Sequence, residues 1–331
     1  MKSKSGPGGL ILRVGISIGA LALVGYFLRD KLHESLQILV TAHWPTFVLA
    51  NAIYLVAMLV MSFRLLLIFR VQGIRLSYFE TVYLNFLGFF FNLFFPSAVG
   101  GDVAKAYYAY KHSGKKLEST TSVILDRMMG FVSLIVMAVL AILIFSKQIN
   151  DRRIDLVIYL ALGGMVLCML FFASKRFARV FKFLKHLIPS AKWQDKIAEV
   201  YHAIHGYRQH KGVMAATITL SFAGQCLFIL VHYVASRSLG IEMNPWLFFI
   251  LIPILSVATM LPSIGGFGVR EFGIVMLFGR FIPSEQAGAL SLLLDILILI
   301  FSFSAGLLFA LRGGLRNRQQ TIHEMEDLND R

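Results

Sequence analysis

Two glycine-rich breaks carry the residue types best suited to holding an anion. The first reads Pro96-Ser97-Ala98-Val99-Gly100-Gly101-Asp102, with Lys105 three residues on. The second reads Pro262-Ser263-Ile264-Gly265-Gly266-Phe267-Gly268, with Arg270-Glu271 close behind. Proline lacks an N–H and glycine loosens a helix, so a helix is expected to stop at each break and another to restart, at Val103–Tyr110 and Val269–Phe278. The N–H groups freed at a restarting helix are partly positive and suit phosphate or carboxylate. Lys105 and Arg270 lie within a turn of those ends and add full charges. Gly100, Gly101, Gly265, Gly266 and Gly268 would let backbone approach the ligand, and Asn92 adds a polar group. These are the expected substrate-binding residues, with Pro96 and Pro262 as the structural breaks. The competing reading is that the glycines only let helices pack closely.

The acids nearby complicate an anion site. Asp102 is a natural N-cap for a helix starting at Val103, a role that competes with anion binding. Glu271 follows Arg270 directly, so each is expected to pair elsewhere. Either acid alternatively meets a cationic headgroup or carries a proton. Asp295 lies within the apolar stretch Leu292–Ile300, where a charge costs about 2.5–3.5 kcal/mol on insertion scales. It is expected to face a cavity and to serve charge or proton coupling. Asp126-Arg127 opens another apolar stretch and reads equally well as an interfacial anchor or as part of a site. Arg64 is expected to snorkel to the interface. Asn51, Asn85, Asn92, Gln225 and His232 read as interhelical hydrogen-bonding groups, with His232 a satisfied buried histidine.

Enzyme signatures are absent. There is no nucleotide-binding loop, no serine elbow and no His-Glu-x-x-His. His202, His205 and His210 cluster, but without an acid or cysteine to complete a metal site. Cys168 and Cys226 both fall in apolar runs, which argues against a disulfide. No catalytic residue, metal or cofactor is expected.

The elements that would position these residues are membrane helices. Of 331 residues, 57% are hydrophobic and 15% charged, and the mean hydropathy is +0.71. Soluble domains carry about 45–50% apolar and about 25% charged residues. A bilayer needs roughly 20 apolar residues per helical span. Six segments satisfy that: Leu10–Leu28, Thr46–Phe69, Val123–Phe145, Ile154–Ala173, Val213–Ser236 and Ala287–Leu311. The first has the charge order of a signal peptide but no small-x-small cleavage site, so it is read as an uncleaved span. The interrupted stretches Tyr78–Phe95 and Trp246–Leu261 are read as re-entrant hairpins. The expectation is an all-α polytopic membrane protein with about six full spans and two broken hairpins.

Pro96 and Pro262 lie 166 residues apart, and Lys105 and Arg270 lie 165 apart. The flanking spans follow the same offset. This predicts two repeats, 10–146 and 154–311, followed by a polar tail, 312–331. The net charge of +14 then reads as topology. With cytoplasmic termini, eight of the 32 basic residues fall outside, which obeys the positive-inside rule. An odd number of spans per repeat makes the second repeat inverted. The basic stretch 174–211 has apolar residues at helical spacing and suits the surface of an anionic leaflet, or else a connector packed on the protein. Nucleic acid is not an expected partner.

The segment NLFFPSAVGGDVAKAYY at Asn92–Tyr108, LDRMMG at Leu125–Gly130 and LPSIGGFGVRE at Leu261–Glu271 together resemble the lysylphosphatidylglycerol synthase transmembrane region, also called the flippase-like or UPF0104 family. Lys105 and Asp126 stand where that family more often has Arg and Glu. The resemblance implies an inner-membrane protein that handles lipids, expected here without the soluble synthase domain. The leading expectation is a lipid translocase or lipid-binding transporter for an anionic phospholipid, glycolipid or polyprenyl-phosphate lipid. The alternatives are a glycosyltransferase using Asp102 or Glu271 as base on a polyprenyl-phosphate-linked sugar, and a non-catalytic partner of lipid-biosynthesis enzymes.

Overall fold

A computed structural model describes residues 32–94, 100–145, 207, 210–259 and 267–311. All regular structure among them is helical. The helices are α1 (Leu32–Val40), α2 (Trp44–Val71), α3 (Tyr78–Phe94), α4 (Gly100–Ser113), α5 (Lys116–Phe145), α6 (Lys211–Ser238), α7 (Pro245–Ala258), α8 (Val269–Phe278) and α9 (Ser284–Leu311). Four of them, α2, α5, α6 and α9, contain stretches long and apolar enough to cross a membrane. Three of these have 28 residues, or about 42 Å at 1.5 Å per residue. That exceeds the ~30 Å hydrocarbon core. The chain is thus a polytopic membrane protein of all-α class. The expected spans at Leu10–Leu28 and Ile154–Ala173 lie outside the described residues, as do Pro96, Pro262, Gly265, Gly266 and almost all of the basic linker.

Local sequence explains the helix boundaries. Pro45 sits in the first turn of α2, where its missing N–H costs nothing. At the other end Gly73 adopts φ +68°. Its N–H bonds Arg70 O at 3.0 Å, and Ile74 N–H bonds Phe69 O at 2.9 Å. This is a Schellman ending, which satisfies two terminal carbonyls. Helix α6 ends the same way: Gly240 has φ +70°, and Gly240 N–H and Ile241 N–H bond Arg237 O and Ser236 O, both at 3.1 Å. Each of these four residues lies 167 positions after its counterpart. The next helices also start alike. Ser77 and Glu80 exchange a capping box at the start of α3, with contacts of 3.2 and 2.6 Å. Asn244, again 167 positions on, accepts the Trp246 N–H at 3.1 Å before α7.

Packing follows the same pairing. Helices α2 and α6 lie against one another as the most extensive helix pair. Helix α3 packs on α9, and α7 packs on α5. The hairpin α3–α4 abuts α5, and α7–α8 abuts α9. The larger apolar core gathers Tyr54 of α2 with Phe248, Ile274, Phe278, Leu290 and Leu293. A smaller one joins Leu65, Phe69, Leu84, Leu87 and Val123. Helix α1 lies against α9.

One boundary differs from expectation. Helix α4 begins at Gly100, not Val103. Asp102 therefore lies inside the first turn and is not the N-cap. Gly101 fits inside the helix because α3 comes close enough to leave no room for a side chain there. A Cβ on Gly101 would stand 2.1 Å from the Gly88 carbonyl oxygen, and one on Gly88 would stand 2.6 Å from Lys105 Cε. In the second hairpin a close-packed glycine again lies on the second arm: a Cβ on Gly273 of α8 would lie 2.6 Å from Leu255 Cδ1 of α7.

Candidate functional site

Between the two hairpins and the spans lies a cavity of about 490 Å³. Arg64, Lys105, Arg127 and Arg270 line it, as do Asp102 and Asp126. Four cations thus face two carboxylates. Asn85, Asn92, Gln225 and His232 add neutral polar groups, and the remaining wall is largely aliphatic and aromatic.

Helix α4 supplies the first charged cluster. Asp102 accepts from Lys105 Nζ at 3.1 Å, one turn along the same helix. It also accepts a short contact from Arg127 Nη1 of α5. The Arg127 guanidinium stands 5.8 Å from the Phe131 ring centre. Asn92 Oδ1 accepts the Gly101 N–H at 2.7 Å and ties the end of α3 to the start of α4.

Helix α8 supplies the second cluster. Arg270 Nη2 donates to Glu271 Oε1 at 2.9 Å and makes a short contact with Asp295 Oδ1 of α9. Glu271 also accepts the Gly268 N–H through Oε2 and so caps α8. Gly268 has φ +85°, a backbone that a β-carbon would strain. Arg270 also stands 5.0 Å from the Phe267 ring centre, a cation–π arrangement. Adjacent Arg270 and Glu271 do pair with one another, contrary to the expectation from their order in the chain.

The anion site expected from bare helix ends is partly filled by the protein itself. The Gly101 N–H goes to Asn92, and the Gly268 N–H goes to Glu271. The cavity offers side-chain charge instead. Arg64 belongs to it. The expectation of an interfacial anchor is corrected: Arg64 is 4% exposed, bonds Asp126 Oδ1 at 2.8 Å through Nε and Ser221 Oγ at 3.0 Å through Nη1. Asp126 lies well inside α5, which starts ten residues earlier at Lys116, so it does not cap that helix. A buried charge at membrane depth persists when it is paired in this way.

The neutral polar groups divide. Asn85 bonds Ser62 Oγ at 2.8 Å and Gln225 bonds Gly130 O at 3.1 Å, both between helices. Asn51 and His232 bond carbonyls of their own helices, Phe47 O and Phe228 O, each at 2.8 Å. Of the linker, Tyr207 donates to Ile68 O at 2.6 Å and joins a small core with Ile68 and Leu125. Burial pushes its hydroxyl up to about 12.

Residues 10–306 match the family described as the lysylphosphatidylglycerol synthase TM region. The chain belongs to that family. The match spans α1 to α8 and most of α9, and includes all four cavity cations and their acidic partners. It also covers the three segments that carry the resemblance: Asn92–Tyr108, Leu125–Gly130 and Leu261–Glu271. No curated protein matches the chain. The motifs mark neither Arg64, which lines the cavity, nor Gly88, which packs against Lys105 and Gly101. Gly88 stood inside an apolar helix run, where a lone glycine had no partner in view.

Proposed function

We propose that this membrane protein binds and translocates a lipid with an anionic headgroup: a phospholipid, glycolipid or polyprenyl-phosphate lipid. The observation that carries this reading is the cavity itself. It is bounded by apolar membrane helices, yet Arg64, Lys105, Arg127 and Arg270 line it together with Asp102 and Asp126. Charge is expensive at that depth, and the Asp102 cluster, with Lys105 and Arg127, keeps one surplus positive charge that suits a visiting anion. The headgroup would lie against Lys105, Arg127 and Arg270, with the acyl chains left in the bilayer.

The two halves would move against one another to expose the cavity alternately. The recurring helix ends, caps and packing pairs support an internal duplication. Its register is 167 residues at the helix ends. Helices α3, α4, α7 and α8 have 17, 14, 14 and 10 residues, so each is roughly 25 Å or less. That is short of the hydrocarbon thickness and supports re-entrant hairpins. The charge distribution supports cytoplasmic termini, and an inner-membrane location is what the family resemblance implies.

Glycosyl transfer would ask Asp102 or Glu271 to act as a base. Asp102 is held by two cations, and Glu271 is held by Arg270 and a helix N–H, so transport is the better supported reading. The test is reconstitution into vesicles with fluorescent phosphatidylglycerol, scored by dithionite accessibility. Translocation above the protein-free rate is expected, reduced severalfold by Lys105→Ala with Arg127→Ala. Equal rates with and without protein, across headgroups, would sink the reading.

A further inference from the structure

The second charged cluster is unbalanced. One nitrogen, Arg270 Nη2, serves two carboxylates, Glu271 and Asp295. The formal charge of the trio is −1. Arg270 and Glu271 are 9% and 4% exposed, and the Asp295 side chain is 15% exposed. Among the described residues, no other Lys or Arg pairs with either acid. Arg270 Nε is buried and has no hydrogen-bond partner there.

Across the same cavity, Asp102, Lys105 and Arg127 form a cluster with one surplus positive charge, and Arg64 is paired with Asp126, but none of these cations contacts Glu271 or Asp295. Tyr54 of α2 and His232 of α6 lie within electrostatic reach of Arg270. His232 is held by the Phe228 carbonyl. Helix α3 faces the cavity with Asn85, Phe89 and Asn92, and α7 with Leu255, Ser256 and Thr259. Apart from Tyr54 and His232, none of these carries an ionisable side chain. On α1, His33 and Glu34 are exposed. An excess negative charge in an apolar bundle is costly. It also cancels the attraction that Arg270 would exert on an anion.

We infer that the Arg270–Glu271–Asp295 trio takes up one proton, and that this proton and the anionic headgroup bind together. The inference rests on the anion-binding reading above. The proton comes from water and is held between the two carboxylates that converge on Nη2. No other bond changes. The trio becomes neutral, and Nε of Arg270 is left to donate to the incoming phosphate. The sign follows: protonation raises the site charge by one, so anion affinity rises as pH falls.

The test uses the full chain in neutral detergent, titrated with dihexanoyl phosphatidylglycerol between about pH 5.5 and 8.5. Its phosphodiester does not ionise in that range. Calorimetry in buffers of different ionisation enthalpy counts protons. The expected result is uptake of about one proton per lipid over part of the range, with Kd rising by up to about tenfold per pH unit there. Asp295→Asn should flatten the profile and His232→Gln should keep it. Binding with no proton uptake at any pH overturns the inference and leaves the anion site standing. So does a profile lost in His232→Gln and kept in Asp295→Asn. Binding of dihexanoyl phosphatidylethanolamine as tight as the glycerol lipid, without proton uptake, also overturns it, because the lipid ammonium then takes the proton's place. No binding of either lipid removes both readings. Proton counting on the unmodified protein stands even if a variant does not fold.

Discussion

Asp102 and Arg270 occupy matching places in the two hairpins and carry opposite charges. Each lies in the first turn of the second hairpin helix. Each pairs with a residue 25 positions further along: Asp102 with Arg127, and Arg270 with Asp295. The two pairs are 168 residues apart and reversed in sign. Each is also joined by a further charge of its partner's sign, Lys105 in the first and Glu271 in the second. The first predicted experiment follows from this. Asp102→Arg should destabilise the protein, because it gathers three cations at one site. Adding Arg127→Asp should recover much of the lost Tm, measured by thermal unfolding in detergent. No recovery would mean that the contact contributes little.

The hub of the second trio should be more sensitive than its spokes. Arg270→Ala leaves two buried carboxylates without a counter-charge. Removing one partner of a buried pair costs about 3–5 kcal/mol. Asp295→Asn leaves one cation and one anion and should cost far less. The ordering of the two Tm losses is the check, and the reverse order would contradict the charge count.

Arg64 tests whether its burial matters. A snorkelling anchor would tolerate Arg64→Lys. In the cavity, the guanidinium holds Asp126 through Nε and Ser221 through Nη1, and an ammonium does not reproduce that divided geometry. Arg64→Lys is therefore expected to lower both Tm and lipid translocation, and Arg64→Ala to lower them further. Wild-type transport by Arg64→Lys would place the residue outside the working site.

Two glycines separate steric from conformational need. Gly101→Ala drives a Cβ to 2.1 Å from the Gly88 carbonyl oxygen, so the hairpin arms must part. A large loss of folded yield is expected. At Gly240 a Cβ meets nothing within 4 Å, but φ is +70°. Gly240→Ala should cost only the backbone penalty, about 1–2 kcal/mol. Similar losses at both positions would argue against close hairpin packing.

The sequence carries the helices well and the site only in part. Apolar length predicts α2, α5, α6 and α9 closely, because lipid demands a continuous run of such residues. The Pro-Gly breaks predict both hairpins, and α8 matches its expected bounds. Arg64 is missed because its meaning depends on Asp126, 62 residues away, and a lone arginine near a span end fits snorkelling equally well. Asp102 is misassigned because propensity places glycine outside a helix, while Gly88 on α3 makes it the residue that fits inside. Matching Lys105 with Arg270 by shared sign is also misleading. Fold position matches Arg270 with Asp102, of opposite sign. A signal for that register was present in Gly73-Ile74 and Gly240-Ile241, whose glycines end α2 and α6.

The reversed pairs bear on how such a chain can be assembled. The two halves keep common helix ends, caps and packing partners, and they differ most sharply in which side of an ion pair is doubled. A complex made from two copies of the first half would reproduce the packing but hold two cation-rich clusters. Two copies of the second would hold two acid-rich ones. On the proposed duplication, one polypeptide that encodes both versions holds one cluster of each sign, so joining the halves sets electrical polarity as well as stoichiometry.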